Sequence, residues 1–324
     1  MVEKTGPFKE RGGGILKTEL TSLLETYEER ILGQHTNLRL LLSAILAGGH
    51  VLLEGVPGTG KTQMVRTLAS LLGGDFSRIQ FTPDLLPSDI TGSTIYNMKD
   101  STFQTIKGPV FTNILLADEI NRTPAKTQAA LLEAMEEKQV TIQGETYPLP
   151  EVFFVVATQN PIEFEGTYPL PEAQQDRFLF KLHIDFPSFD EEKNVLKQVI
   201  ENKFDKQALA SILDMDTFLT IRKEIERVTM GEPVIDYMMQ LVRRTRETES
   251  IRFGASTRAG ISIGKAAQAW AYLSGRDYVT PDDVKMVAKP ALRHRIQLSP
   301  HVELEGLTVD QIIEELVGSI PVPR

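Results

Sequence analysis

Gly55-Val56-Pro57-Gly58-Thr59-Gly60-Lys61-Thr62 decides how the rest of the chain is read. The stretch fits G-x-x-x-x-G-K-[ST], a pattern whose loop cradles phosphate groups. His50-Val51-Leu52-Leu53-Glu54 precedes it, apolar and of strand length. After it, from Gln63 onward, Val65, Leu68, Ala69 and Leu72 recur at helical spacing. A strand passing through a glycine-rich turn into a helix is the setting the pattern needs. The glycines let backbone N–H groups wrap around phosphate oxygens, and the helix dipole adds positive potential there. Lys61 is placed to reach the β- and γ-phosphates and Thr62 to ligate Mg²⁺. Gly55, Pro57, Gly58, Thr59, Gly60, Lys61, Thr62 and Gln63 are therefore candidate nucleotide-binding residues.

Composition narrows the class. A chain of 324 residues is long enough for about two domains. With 41% hydrophobic and 24% charged residues it reads as globular. Cysteine is absent, which removes disulfides and cysteine-ligated zinc and suits a reducing, cytoplasmic setting. The five histidines are scattered and form no H-E-x-x-H. A net charge of −9 argues against a dedicated nucleic-acid binder. The most apolar window, Leu40 to Leu53, is broken by Gly48-Gly49-His50, so no membrane insertion is expected. The start, Met1 to Pro7, has no apolar core of a secretory signal.

The middle of the chain alternates strands with helices. Candidate strands are Arg78 to Thr82, Asn113 to Ala117, Val152 to Ala157 and Phe178 to Ile184, and Lys126 to Glu137 reads as a helix between them. Continuous apolar strands separated by helices indicate a parallel sheet buried on both faces. From about Pro187 helical periodicity takes over, in Glu191–Asn202, Asp216–Thr229, Pro233–Glu247, Ser256–Leu273 and Thr280–Ala288. The expected organisation is an α/β nucleotide-binding core over 1–186, with residues 1–14 a flexible tail before a helix from Ile15 to Arg30. A smaller all-helical lid follows over 187–324.

Ile114-Leu115-Leu116-Ala117 ends in two carboxylates, Asp118 and Glu119. In phosphate-loop enzymes an acid at such a strand end holds Mg²⁺, and its neighbour can take a proton from water. Adjacent carboxylates repel unless a cation stands by; a solvated turn is the plain alternative. Val155-Val156-Ala157-Thr158-Gln159-Asn160-Pro161 puts Asn160 at another strand tip. Its amide can donate to phosphate and accept from water, while Asn-Pro equally favours a turn.

These elements resemble the Walker A, Walker B and sensor 1 motifs of AAA+ ATPases. The likeness extends to the MoxR family through Gly108-Pro109-Val110-Phe111, Ala117-Asp118-Glu119-Ile120-Asn121-Arg122 and Gln159-Asn160-Pro161-Ile162-Glu163. It continues in Glu165 to Gln174 and in Asp176-Arg177-Phe178. The resemblance covers about Leu32 to Ile296. It implies a P-loop AAA+ core, ATP and Mg²⁺ as cofactors, and a ring of copies, commonly a hexamer, with ATP between them. Catalysis would fall to Lys61, Glu119, Asn160 and an arginine finger, Arg177, from the next copy. Asp118 and Thr62 would hold the metal. Arg258 matches sensor 2, the lid arginine, so that ATP would lie between core and lid. Ser256 can cap the helix that starts there. A cation in a first turn opposes the helix dipole by roughly 0.3–1 kcal/mol, and a nearby anion reverses that sign.

Leu32-Gly33-Gln34 resembles the segment lying against adenine, making Gly33 and Gln34 candidate contacts; Gly33 can also simply stop a helix. Gln80 either relays nucleotide state to Glu119 or is an ordinary polar strand end. Thr91 to Lys107 and the hairpin Lys138 to Leu149 match segments that face the ring pore in relatives, or are plain connections. MoxR relatives imply remodelling or maturation of protein clients, often with a von Willebrand factor A domain partner. Two rivals remain: a nucleic-acid-stimulated motor of the same clade, and an ATP-gated scaffold with little turnover.

Overall fold

The computed structural model describes residues 13–161, 166–200 and 209–323. Most of the N-terminal tail, the Ile162–Glu165 part of the MoxR-like motif and the end of the Glu191–Asn202 helix lie outside the described residues. Five strands build one parallel sheet: β1 (His50–Glu54), β2 (Phe76–Gln80), β3 (Ile114–Asp118), β4 (Phe154–Gln159) and β5 (Phe178–His183), in spatial order β2-β3-β4-β1-β5. Alternation explains why their apolar runs are unbroken. Val51, Leu53, Leu116 and Val156 enter one apolar cluster, while Leu52, Leu115, Val155 and Ala157 enter a second on the other face. Both faces are covered, so the strand interiors are mostly apolar.

Helices α1 (Gly13–Arg30), α2 (His35–Leu46) and α3 (Lys61–Leu72) cover the first face, and α4 (Ala125–Glu137) the second. The lid helices are α5 (Phe189–Ile200), α6 (Met215–Ile225), α7 (Glu232–Glu247), α8 (Thr257–Leu273), α9 (Pro281–Leu292) and α10 (Val309–Ser319). Helix α8 packs across α2 and α9, and α9 lies along β5. The lid and the first face thus share one apolar cluster, in which Leu41 of α2 meets lid residues such as Ile263 and Val287.

Element limits differ from the sequence reading where pairing, not apolarity, sets them. β4 runs on to Gln159 because it keeps its ladder with Glu54 of β1. β2 begins at Phe76 opposite Ile114 and stops at Gln80. α1 begins at Gly13, two residues before the expected Ile15. α9 continues through Pro290 to Leu292, and α10 was not foreseen although Ile312, Ile313 and Leu316 have helical spacing and Thr308 with Gln311 forms a capping box. The Thr91–Lys107 segment is an antiparallel ribbon, Gly92–Asn97 with Thr102–Lys107. The second hairpin pairs Gln139–Ile142 with Glu145–Pro148 through Gln143 and Gly144, both at positive φ as a tight two-residue turn requires.

Leu116 is fully buried in β3, an interior strand of the sheet. Leu116→Ala should lower stability by about 2–5 kcal/mol through lost contacts and the cavity left. Urea unfolding followed by tryptophan-independent circular dichroism checks this; a change below about 1 kcal/mol contradicts the packing described.

Candidate functional site

In a parallel sheet all carboxyl ends share one edge, and there Gln80 pairs with Asp118 while Glu54 pairs with Gln159 and His183. The phosphate loop leaves β1 at this edge. Gly58 and Gly60 hold φ of 86° and 82°, left-handed values that exclude most side chains. Gly55 is fixed by space instead, since a Cβ there would sit 2.4 Å from the Ile184 carbonyl. Lys61 opens α3 and donates to the Gly55 and Val56 carbonyls at 2.7 Å each. Burial lowers its pKa, and the charges of Asp118 and Glu119 act against that.

Asp118 is the hub. Its Oδ1 accepts from the Thr158 hydroxyl at 2.6 Å, and its Oδ2 lies 3.4 Å from Thr62 Oγ1. Arg78 donates to the same Oδ2 from Nε at 3.0 Å and Nη2 at 2.8 Å. Glu119 adopts φ 56°, ψ 50°, a left-handed conformation costing a non-glycine residue about 1–3 kcal/mol. Its N–H is held by Thr158 Oγ1 at 2.9 Å. Its carboxylate takes Gln80 Nε2 at 2.6 Å and lies 3.2 Å from Arg122 Nε. The repulsion expected between the paired acids is met by Arg78, Arg122 and Lys61 arranged around them.

Gly55, Pro57 to Gln63, Asp118, Glu119 and Asn160 line one cleft of about 470 Å³, the size of a small-ligand site. Gln80, left open between two roles, lines it and touches Glu119. Reading the sequence missed Arg66, Arg78, Thr158 and Gln159, which also line it. Arg66 stands one helical turn beyond Thr62, so periodicity alone marks it, whereas Arg78 shares a strand face with Gln80 but meets Asp118 only because β2 pairs with β3. A hydroxyl and a carboxylate oxygen 3.4 Å apart suit neighbouring positions around a hard, oxygen-loving cation. Among the described residues no cluster of three or more His, Cys, Asp or Glu could cage a metal.

Gly33 and Gln34 sit beside this cleft rather than in it. Gln34 is buried, its Nε2 donating to the Asp185 carbonyl at 3.1 Å, and a Cβ on Gly33 would meet the Glu191 carboxylate at 2.7 Å. They join the start of α2 to the chain leaving β5.

Arg177 and Arg258 lie elsewhere: among the described residues, those lining the cleft come from the α/β core. Both arginines line a second cavity of about 200 Å³, with Gly48, Gly49 and His50 at the opposite end of β1. Five strand residues, about 16 Å, separate the two ends. Arg177 pairs with Glu136 at the end of α4. Arg258 Nη2 and Nη1 lie 3.5 Å from Glu136 Oε1 and Asp176 Oδ2. These carboxylates supply the anions that a cation at the start of α8 needs. Ser256 stands at the N-cap but makes no side-chain cap hydrogen bond.

A family model described as "ATPase family associated with various cellular activities (AAA)" matches residues 50–180, and an AAA lid domain model matches 243–316. Chaperone MoxR1 of Mycobacterium tuberculosis is 43% identical over 91% of this chain and 80% of its own length. Protein MoxR of Paracoccus denitrificans is 35% identical, covering 90% of this chain and 93% of itself. A crystal structure of a Cytophaga hutchinsonii protein, described provisionally as an ATPase, superposes with a TM-score of 0.89 at 45% identity over 96% of this chain and 97% of that one. No described helix is long and apolar enough to cross a membrane.

Glu54 ends β1 and binds Gln159 Nε2 at 2.5 Å and Lys181 Nζ at 2.7 Å. Burial alone would raise its pKa, but hydrogen bonds from His183, Lys181 and Gln159 and the Lys181 charge bring it down to about 2 from 4.5. A carboxylate depressed on folding stabilises the fold above its unfolded pKa and loses that contribution as pH falls toward the folded one. Stability should therefore drop as pH falls from 4.5 to 2, and Glu54→Gln should flatten that slope by up to about one proton. Urea midpoints measured across this range decide; an unchanged slope refutes it.

Proposed function

We propose that this chain, which belongs to the MoxR family of AAA+ ATPases, hydrolyses ATP between adjacent copies of itself and uses the cycle to remodel or mature protein clients. The observation that carries the reading is the position of the two half-sites. The phosphate-binding cleft and the arginine pair occupy opposite ends of the same strands. A surface at one end that fits a surface at the other makes a head-to-tail contact, and such contacts close into rings. A hexamer in the cytoplasm is the expected form, and a von Willebrand factor A domain protein is the expected partner.

Within that interface the phosphate loop and Lys61 hold the triphosphate. Thr62 and Asp118 would hold Mg²⁺, which supplies charge neutralisation at the phosphates. Glu119, steered by Gln80 and Arg122, accepts the proton of the attacking water while Asn160 orients that water. Arg177 and Arg258 of the next copy bring positive charge to the γ-phosphoryl group as its bond breaks. Arg258 thus acts beside Arg177 across the interface, which replaces the role expected of it as a lid contact to its own copy's nucleotide. The client role rests on the relative named a chaperone and on the first hairpin, whose Ile95, Tyr96, Met98 and Phe103 are exposed.

Glu119→Gln should lower kcat by about 10²–10⁴ while nucleotide still binds. Retained turnover in that variant refutes the assigned base. Arg177→Ala should lower kcat by about 10³–10⁵ and Arg258→Ala by about 10²–10³, both with nucleotide affinity kept. Steady-state phosphate release and fluorescent-nucleotide titration separate the two quantities. Full turnover by isolated monomers, or by Arg177→Ala, contradicts a shared site. Glu119→Gln loaded with ATP should also retain clients that the active enzyme releases.

A further inference from the structure

Three consecutive residues after α9 grip β5. Arg293 Nη1 donates to the Lys181 carbonyl at 3.2 Å, and His294 Nε2 meets the Phe178 carbonyl at 2.9 Å. Arg295 is the most engaged. Its side chain is only 3% exposed. It reaches Asp176 Oδ1 at 2.6 Å, the Asp176 carbonyl at 3.1 Å, the Phe178 carbonyl at 2.8 Å and the Leu179 carbonyl at 3.2 Å. It also donates to the Ala291 carbonyl at 2.6 Å and Ser262 Oγ at 3.3 Å. The carbonyls of Asp176 and Phe178 flank Arg177 on either side. The second Asp176 oxygen faces Arg258. One buried guanidinium therefore fixes the backbone around one arginine and the carboxylate that orients the other.

We propose that Arg295 is a positioning residue for the Arg177–Arg258 pair, fastening a copy's lid to its own arginine face so that the two move as one body. The proposal rests on the shared-site reading above. Its consequence is directional. The lid is tied to the end of the sheet that faces the neighbour's nucleotide, and no lid residue lines the cleft holding its own. Loss of phosphate contacts in one copy is then felt by the lid of the copy that donates the arginines. A guanidinium is needed because its planar fork serves several acceptors at once. A lysine keeps the charge but offers a compact ammonium that cannot reach the same set.

Mixed assemblies test this. A Lys61→Ala copy cannot hold nucleotide but can donate arginines, whereas an Arg177→Ala copy holds nucleotide but cannot donate. Together they should regain turnover that neither has alone. Silence from this parent pair overturns the shared-site reading itself, and the proposal with it. With the parent pair active, Arg295→Lys is added to one partner at a time. In the donating Lys61→Ala copy it should cut the regained kcat by about tenfold to a hundredfold with KM unchanged. In the nucleotide-holding Arg177→Ala copy it should leave the pair's rate within about twofold, because that copy's arginine face is already silent. Equal losses from either placement show a merely structural clamp and overturn the proposal. If Arg295→Lys unfolds by circular dichroism, Asp176→Asn, which spares the backbone clamp, replaces it. The same one-sided loss is expected, and a two-sided or absent loss refutes the proposal.

Discussion

Parallel pairing of the five strands is the constraint from which the rest follows. It sends every strand's carboxyl end to one edge, where successive polar tips assemble without any loop having to reach across the molecule. It equally fixes what cannot meet. Arg177 precedes β5 and Glu136 ends a helix beside the start of β1, so the arginine cavity opens at the other end of the sheet. The geometry that concentrates phosphate ligands in one place keeps the same chain's arginines about a strand's length away.

The cleft edge is electrostatically tense and held in check. Asp118 and Glu119 are adjacent, yet each has its own cation, Arg78 on one and Arg122 near the other. Thr158 bridges them, giving its proton to Asp118 and accepting from the Glu119 N–H. Such a network specifies one arrangement because leaving any member unpaired in a partly buried site costs about 1–3 kcal/mol. It also holds Glu119 in a left-handed conformation that an isolated residue would abandon. Strain of this kind points the carboxylate toward Gln80 on the neighbouring strand while the N–H faces Thr158.

Much of this was legible in the sequence because it depends on local pattern. The loop motif, its strand and its helix fix Lys61 and Thr62 relative to each other within a few residues. Asp118, Glu119 and Asn160 were legible because polar residues terminating apolar strands must gather at one edge once the strands are parallel. Arg78 was not, since its use depends on β2 lying beside β3, a fact of strand order that no local pattern carries. The surroundings of Arg258 were not legible for the same reason. The sequence shows a cation opening α8 but not which end of the sheet α8 approaches. The answer lies in nonlocal packing, with α8 on α2 and α9 along β5.

That packing also places the lid against the sheet. Apolar burial joins the lid to the first face of the sheet through one continuous cluster. The hydrophobic effect itself is nondirectional, so burial fixes proximity more strongly than angle. Angle is set by directional bonds, and these are concentrated where Arg293, His294 and Arg295 hold β5 carbonyls. The lid is therefore oriented by the strand that begins at the arginine face. The helix that opens at the phosphate loop is also tied to the chain entering α6, where the Leu71 carbonyl accepts from the Ile212 and Leu213 N–H groups at 2.9 and 3.1 Å, so the lid has directional bonds toward both the cleft and the arginine cavity.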